Sequence, residues 1–260
     1  MKVAVAGGTG LLGRLVVDRL EATGHQAVVL ARSRGVDLTT GRGLGGALDG
    51  CGAIVDATNV ATTSARRGAA FFGAVTERLL DVGQRAGVAH LVTVSIVGID
   101  RVGLGYYRAK LHQEAVVAAG PLPWTVLRAT QFHEFAAQMF ARGRSPVVFV
   151  PRIPSRPVAA AEVAERLAEL AIGPACAMAT PIAGPEVVGL PDLVRGLLRA
   201  RGSRRLVVPV PMPVGPARAA ARGGLLPDGP FQQGVRTYAQ HLAALAPVPG
   251  AAGRRGRVGA

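Results

Sequence analysis

Tyr106 and Lys110, in the run Tyr106-Tyr107-Arg108-Ala109-Lys110, stand four residues apart, which places both on one face of a predicted helix. A phenol with an unperturbed pKa of ~10 is a poor proton relay at neutral pH. A neighbouring ammonium favours phenolate and draws that value toward the working range. Ser95 ends the predicted strand before this helix, at the carboxyl edge of the sheet, where open α/β folds bind their ligands. Ser95 and Tyr106 can both donate to a developing alkoxide. Composition also singles out Lys110. Of 30 basic residues only Lys2 and Lys110 are lysines, so a chain that supplies arginine almost everywhere else has a lysine four residues after a tyrosine.

A second constellation opens the chain. A short β-rich run, Lys2 to Ala6, leads into Gly7-Gly8-Thr9-Gly10-Leu11-Leu12-Gly13, and a helical pattern follows. Glycine at 7, 10 and 13 between strand and helix fits a dinucleotide loop. The first glycine permits a tight turn, the second admits backbone close to a pyrophosphate, and the third lets helix and strand pack closely. The first helical N–H groups and the positive dipole end then face the phosphates. The second predicted strand ends at Ala31-Arg32-Ser33-Arg34. A carboxylate there would hold the ribose 2′-hydroxyl of NAD. Two guanidiniums and a hydroxyl suit a 2′-phosphate instead, so NADPH (NADP) is the expected cofactor. Asp37 is a candidate for the adenine amine. Ala57-Thr58-Asn59, after another strand run, are candidates for backbone passing close to the cofactor.

The elements that must position these residues alternate. Strand patterns at Lys2–Ala6, Ala27–Ala31, Ala53–Ala57, Leu91–Val97 and Trp124–Ala129 are interleaved with helical ones at Leu11–Ala22, Ala65–Ala86 and Tyr106–Ala119. This predicts an α/β protein with a Rossmann-type, doubly wound parallel sheet. After Thr130, Pro and Gly become frequent. Helices are expected near Phe132–Ala141, Ala160–Ile172 and Leu190–Ala200, with a strand at Leu206–Val210. We read residues 1–246 as one NAD(P)-binding domain that includes a small substrate-side lobe over about 131–246, and 247–260 as a disordered tail.

Composition bounds the rest. The 260 residues suit one domain with an ample core, and an apolar share of 49% argues against disorder. The net charge of +14 is spread as single and paired arginines without interleaved aromatics, so no specific nucleic-acid partner is expected. Cys51 and Cys176 form no paired motif, and no metal-ligand spacing is present. No apolar run reaches ~18 residues and no charged-then-apolar leader opens the chain, so a cytoplasmic protein without a membrane partner is expected. Oligomeric state is left open.

The Gly loop, Ser95 and Tyr106-x-x-x-Lys110 together resemble the short-chain dehydrogenase/reductase superfamily. The glycine spacing, Trp124-Thr125-Val126-Leu127-Arg128 and Gln131-Phe132-His133-Glu134-Phe135 resemble its atypical NmrA-like, NAD(P)-binding branch over about residues 1 to 245. The resemblance implies an oxidoreductase that transfers hydride from NADPH to a carbonyl or quinone-like carbon of a small apolar substrate. It implies that Tyr106 protonates the substrate oxygen and that Ser95 hydrogen-bonds it. Lys110 would bind the nicotinamide ribose and lower the Tyr106 pKa. Thr130, Gln131, Phe132 and His133 are substrate-side candidates, although His133 also fits an apolar helical face with Phe132, Phe135, Ala136 and Met139. Many members of the branch lack the tyrosine and act as redox-sensing regulators. Two alternatives therefore stand beside the reductase: a non-catalytic NADP(H)-sensing module, and a redox-neutral epimerase or dehydratase with bound NAD.

Overall fold

The computed structural model describes residues 1–140 and 145–245. The expected tail, 247–260, lies outside them. The strands are β1 (Lys2–Ala6), β2 (Gln26–Leu30), β3 (Ala53–Asp56), β4 (His90–Ile96), β5 (Trp124–Ala129), β6 (Val147–Pro151), β7 (Pro154–Ser155), β8 (Ala177–Met178), β9 (Ile182–Ala183), β10 (Val188–Gly189), β11 (Leu206–Val210) and β12 (Gln232–Gln233). The helices are α1 (Leu11–Ala22), α2 (Leu44–Leu48), α3 (Ala65–Arg85), α4 (Gly105–Ala119), α5 (Phe135–Phe140), α6 (Ala160–Ile172), α7 (Leu190–Ala200), α8 (Pro216–Ala221) and α9 (Tyr238–Leu245).

The main sheet runs β2-β1-β3-β4-β5-β9-β12, with β8 also pairing β5, and its pairings are parallel. Period-two alternation sends successive side chains to opposite faces. Val3, Val5, Val55 and Val92 pack against Val16 and Leu20 of α1 and Val163 and Leu167 of α6. Ala4, Ala6, Ile54 and Leu91 pack against Leu44 and Leu48 of α2, Val75 and Leu79 of α3 and Val117 of α4. Both faces are thus covered, as a parallel sheet of near-continuous apolar strands requires. The chain reverses strand order at β1, where β2 lies on one side and β3 on the other. In open sheets that switch point opens a crevice at the carboxyl ends.

Helices α3 and α4 pack closely because small residues face each other. A Cβ on Gly68 would come within 2.6 Å of Ala109 Cβ, and one on Gly105 within 2.2 Å of the Thr63 carbonyl oxygen. Past β5 the chain builds two small ribbons, β6 with β11 in parallel and β7 with β10 antiparallel. A separate cluster of Val148, Val150, Leu193, Val194 and Leu197 holds them to α7.

The expected helix from Phe132 begins only at Phe135. Phe132 instead forms a parallel bridge to Val158: His133 N–H donates to the Val158 carbonyl (3.0 Å), and Val158 N–H donates to that of Gln131 (2.9 Å). Those groups are then unavailable to a helical turn. Met139, expected on the apolar face, is 59% exposed, while Ala136 is buried.

Candidate functional site

The first glycine loop forms as the spacing requires. Gly7 takes φ +74°, the left-handed region where a Cβ is costly. A Cβ there would lie 2.9 Å from the Ala57 carbonyl oxygen, and one on Gly13 would lie 2.2 Å from that of Gly7. Helix α1 starts at Leu11 after Gly10, which offers no side-chain cap. Its first backbone bond to that end runs from Arg14 N–H to the Gly10 carbonyl (3.1 Å), so the N–H groups of Leu11, Leu12 and Gly13 precede the intrahelical ladder. Thr9 is exposed at the rim. Backbone packed this close, beside open N–H groups at a helix N-terminus, fits a dinucleotide pyrophosphate.

This geometry makes Gly13→Ala a sharp probe. We expect a cost of about 1–3 kcal/mol from overpacking, or a fall of roughly 2–12 °C in Tm at about 2–4 °C per kcal/mol. Affinity for NAD(P)H should fall at least about tenfold as the loop is pushed outward. Gly45→Ala, in α2 with open space around the added methyl, is the control. Thermal unfolding with and without NAD(P)H reads both, and an unchanged Gly13→Ala protein would refute the close approach.

Arg32, Ser33 and Arg34 form an exposed 3₁₀ turn just past β2. Arg32 Nε lies 3.9 Å from Asp37 Oδ2, with its own side chain 76% exposed. Asp37 Oδ1 accepts from Thr39 N–H (2.8 Å) and Thr39 Oγ1 (2.6 Å). Those bonds, the hydroxyl's first, hold its carboxyl below the usual range. Its carboxylate thus organises its own turn.

Ala57 and Thr58 run against Gly7. Thr58 turns inward, its N–H (2.9 Å) and Oγ1 (2.6 Å) donating to Asp56 Oδ1. Asn59 contributes its side chain, since Tyr106 donates its phenolic proton to Asn59 Oδ1 at 2.8 Å. The ring is held edge-on between Phe72 and Tyr107, each with its centroid 6.1 Å away.

Lys110 is buried. Its Nζ donates to the Val94 carbonyl (2.8 Å) and to Gln113 Oε1, and lies 4.8 Å from the centre of the Phe72 ring. Burial pulls its pKa down to about 8 against the opposing pull of Asp56 and then Glu114. Ser95, next to Val94 on β4, is 3% exposed, and its Oγ has no hydrogen-bond partner among the described residues.

One expectation is corrected here. Burial, with a smaller contribution from Tyr107, pushes Tyr106 up to about 12. The expected lowering by Lys110 does not operate in this state. The ammonium is committed to Val94 and Gln113, and Asp56 sits behind it, so desolvation of the phenol dominates.

The substrate-side candidates are drawn into the framework. Thr130 Oγ1 donates to the Arg156 carbonyl (2.5 Å), and Gln131 Oε1 accepts from Ser155 (3.0 Å). Phe132 packs on the core beside α6. His133 is 1% exposed, with Nε2 3.2 Å from the Pro157 carbonyl and its ring 5.0 Å from that of His241. Burial, then His241, lowers its pKa to about 4, so it is neutral at pH 7 and packs in the interior. Tyr107 packs with Val102, Ala220 and Leu225. Sequence reasoning missed Asp56, Gln113 and Thr76, which join Lys110 in one buried network. A glutamine three residues after the lysine, on the same helix face, was the available signal.

Among the described residues no group of three His, Cys, Asp or Glu side chains could hold a metal, and no helix is long and apolar enough to cross a membrane.

Residues 7–171 match the family described as NAD(P)H-binding. That is more than half of the chain, which therefore belongs to this NAD(P)H-binding family. No curated protein matches the sequence. Among solved structures, the NADPH-dependent quinone oxidoreductase of Escherichia coli complexed with NADPH is similar at a TM-score of 0.68 and 18% identity, covering 94% of this chain and 99% of that one. The UDP-N-acetylglucosamine 4-epimerase of Bacillus cereus gives 0.69 at 17% identity, covering 94% and 95%. The triphenylmethane reductase of Citrobacter sp. complexed with NADP(H) gives 0.65 at 16% identity, covering 88% and 93%. At these identities the likeness is one of fold.

Proposed function

We propose that this protein is an NADPH-dependent reductase of the short-chain type, acting on a carbonyl or quinone-like carbon of a small apolar substrate. The observation that carries the reading is the buried Ser95 Oγ, unpartnered among the described residues and adjacent in β4 to the carbonyl that anchors Lys110. A buried hydroxyl without a partner costs about 1–3 kcal/mol, and a substrate oxygen would satisfy it. NADPH, when bound, supplies the hydride to the substrate carbon. Tyr106 gives its phenolic proton to the substrate oxygen, so one hydride and one proton convert C=O to CH–OH, and solvent returns the proton to Tyr106. Lys110 would direct its remaining N–H to the nicotinamide ribose. A panel of quinones and carbonyl compounds, scored by NADPH oxidation, tests this. Absence of turnover with every member, alongside tight NADPH binding, would favour the non-catalytic NADP(H)-sensing module. The bond that ties the Tyr106 proton to Asn59 is the feature that suits that second reading.

Cofactor preference follows from the exposed 3₁₀ turn. Arg32 and Arg34 can pair with a 2′-phosphate through planar, bidentate contacts. NADPH should bind at least about tenfold tighter than NADH, a difference of ~1.4 kcal/mol. Arg32→Ala should narrow that ratio by weakening NADPH alone. Equal affinities in the parent protein, measured by fluorescence titration, would remove the basis for the assignment.

A further inference from the structure

We propose that Gln113, backed by Asp56, is a positioning residue for Lys110: its amide couples the buried carboxylate at the end of β3 to the ammonium on α4 and fixes where the remaining Lys110 N–H points. Gln113 Nε2 donates to Asp56 Oδ2 (2.8 Å) and to Thr76 Oγ1 (3.2 Å), while its Oε1 accepts from Lys110. This network also sets the amide's orientation. A flipped amide would set NH₂ against the ammonium and oxygen against the carboxylate, turning two attractions into two repulsions.

Water does not share these contacts. Asp56 and Gln113 are each 1% exposed and Lys110 4%. The other Asp56 oxygen is held by Thr58 N–H and Oγ1, so the carboxylate is kept from swinging toward the lysine. The Val94 carbonyl takes a second ammonium N–H, and one N–H is left for the site. Buried charges persist only when paired and hydrogen-bonded, and here the pairing runs through an amide dipole aligned with both charges.

The groups facing Lys110 can be named element by element. Asp56 comes from β3 and Glu114 from α4, the latter already paired with Arg128 at 2.7 Å. Helix α3 offers the Phe72 ring and, through Gln113, the Thr76 hydroxyl, and β4 offers the Val94 carbonyl. Asp56 is thus the carboxylate without a cationic partner of its own in direct contact among the described residues, and Gln113 is its link to one. The inference rests on the proposed role of Lys110 only for its second measurement.

The chain's two lysines make the test direct. Side-chain NMR of protein with isotope-labelled lysine gives one Lys110 signal and one Lys2 reference, with no cofactor or substrate present. Asp56→Asn and Gln113→Met should lower the Lys110 titration midpoint by about one pH unit or more, because each removes support for the charged form. Gln113→Glu should raise it, since a carboxylate would then touch the ammonium. Lys2 should not move. A packing role alone would change Tm without moving the midpoint. An unmoved midpoint in folded Asp56→Asn and Gln113→Met overturns the proposal; if neither folds, a Gln113→Glu protein whose midpoint fails to rise does so. The second measurement is NADPH affinity against pH. It should weaken as pH rises through the Lys110 midpoint, and the inflection should shift with each variant. A midpoint that moves while NADPH binding ignores it supports the coupling and counts against the cofactor role of Lys110, so the two failures are separable.

Discussion

Tyr106→Phe should reduce turnover by about 10³-fold while NADPH binding stays within a few-fold of the parent. The substitution removes one oxygen and leaves the ring, which is wedged edge-on between Phe72 and Tyr107 and keeps its place without the hydroxyl. The lost atom is the proposed proton donor, and general-acid contributions typically run to about 10²–10⁴-fold. The loss of the bond to Asn59 Oδ1 is a minor stability cost of about 1 kcal/mol at a partly exposed contact. Tyr107→Phe should keep most activity, because that ring packs with Val102 and Leu225. Stopped-flow NADPH oxidation with an accepted carbonyl, beside an NADPH titration, separates chemistry from binding. If Tyr107→Phe is the variant that stops turnover, the proton donor has been misassigned.

The pH profile adds an independent check. Tyr106 near 12 stays protonated across the accessible range, so its titration should not shape the profile. Lys110 near 8 loses its proton first as pH rises. The kcat/KM of the parent should therefore be level below about pH 7 and fall above about pH 8. A profile that rises through pH 8 would mean that the neutral amine is the working form.

Much of this architecture was readable because it is local. The glycine loop, the i, i+4 pair of Tyr106 and Lys110, and the alternating strands and helices each occupy one short window, and α1, α6, α7 and β5 begin and end where periodicity placed them. The contacts that set the site's electrostatics are not local. Tyr106 reaches Asn59 across 47 residues, and Gln113 reaches Asp56 across 57. Spacing cannot encode such meetings, which depend on β3 and β4 lying side by side beneath α3 and α4. The error over Tyr106 has the same origin. Helical spacing placed an ammonium near a phenol, but it could not show that Val94, Gln113 and Asp56 would claim that ammonium. Past β5 the limit was length. Strands β7, β8, β9, β10 and β12 have two residues each, too few for alternation to register, and β6 runs Val-Val-Phe-Val-Pro without a polar alternate.

Lys110→Arg should cost roughly 10²-fold or more in kcat/KM, about 2.7 kcal/mol of transition-state stabilisation. Charge is the same in both residues, so the expected loss comes from shape. The ammonium is a compact charge whose N–H groups diverge, two of them held by Val94 and Gln113 and one left for the site. A guanidinium is planar and larger, spreads its charge, and presents its donors in a fixed fork. It cannot meet a backbone carbonyl, an amide oxygen and a ribose in those three directions. Beneath the Phe72 ring, with Lys110 only 4% exposed, the added volume must displace a neighbour. That adds about 1–3 kcal/mol of strain to be read as a lower Tm. Small misplacements of a bound reactant are expensive in rate, so kcat should fall even where the variant still binds NADPH. Lys2→Arg is the control, because the Lys2 ammonium at the start of β1 donates to the Asp49 carbonyl at the surface, away from the site, and should be near neutral. NADPH oxidation, run with a thermal unfolding curve for each variant, distinguishes loss of chemistry from loss of fold. A Lys110→Arg protein that folds and turns over like the parent would show that positive charge alone suffices at this position. The buried arrangement around Val94 and Gln113 would then serve packing rather than the reaction.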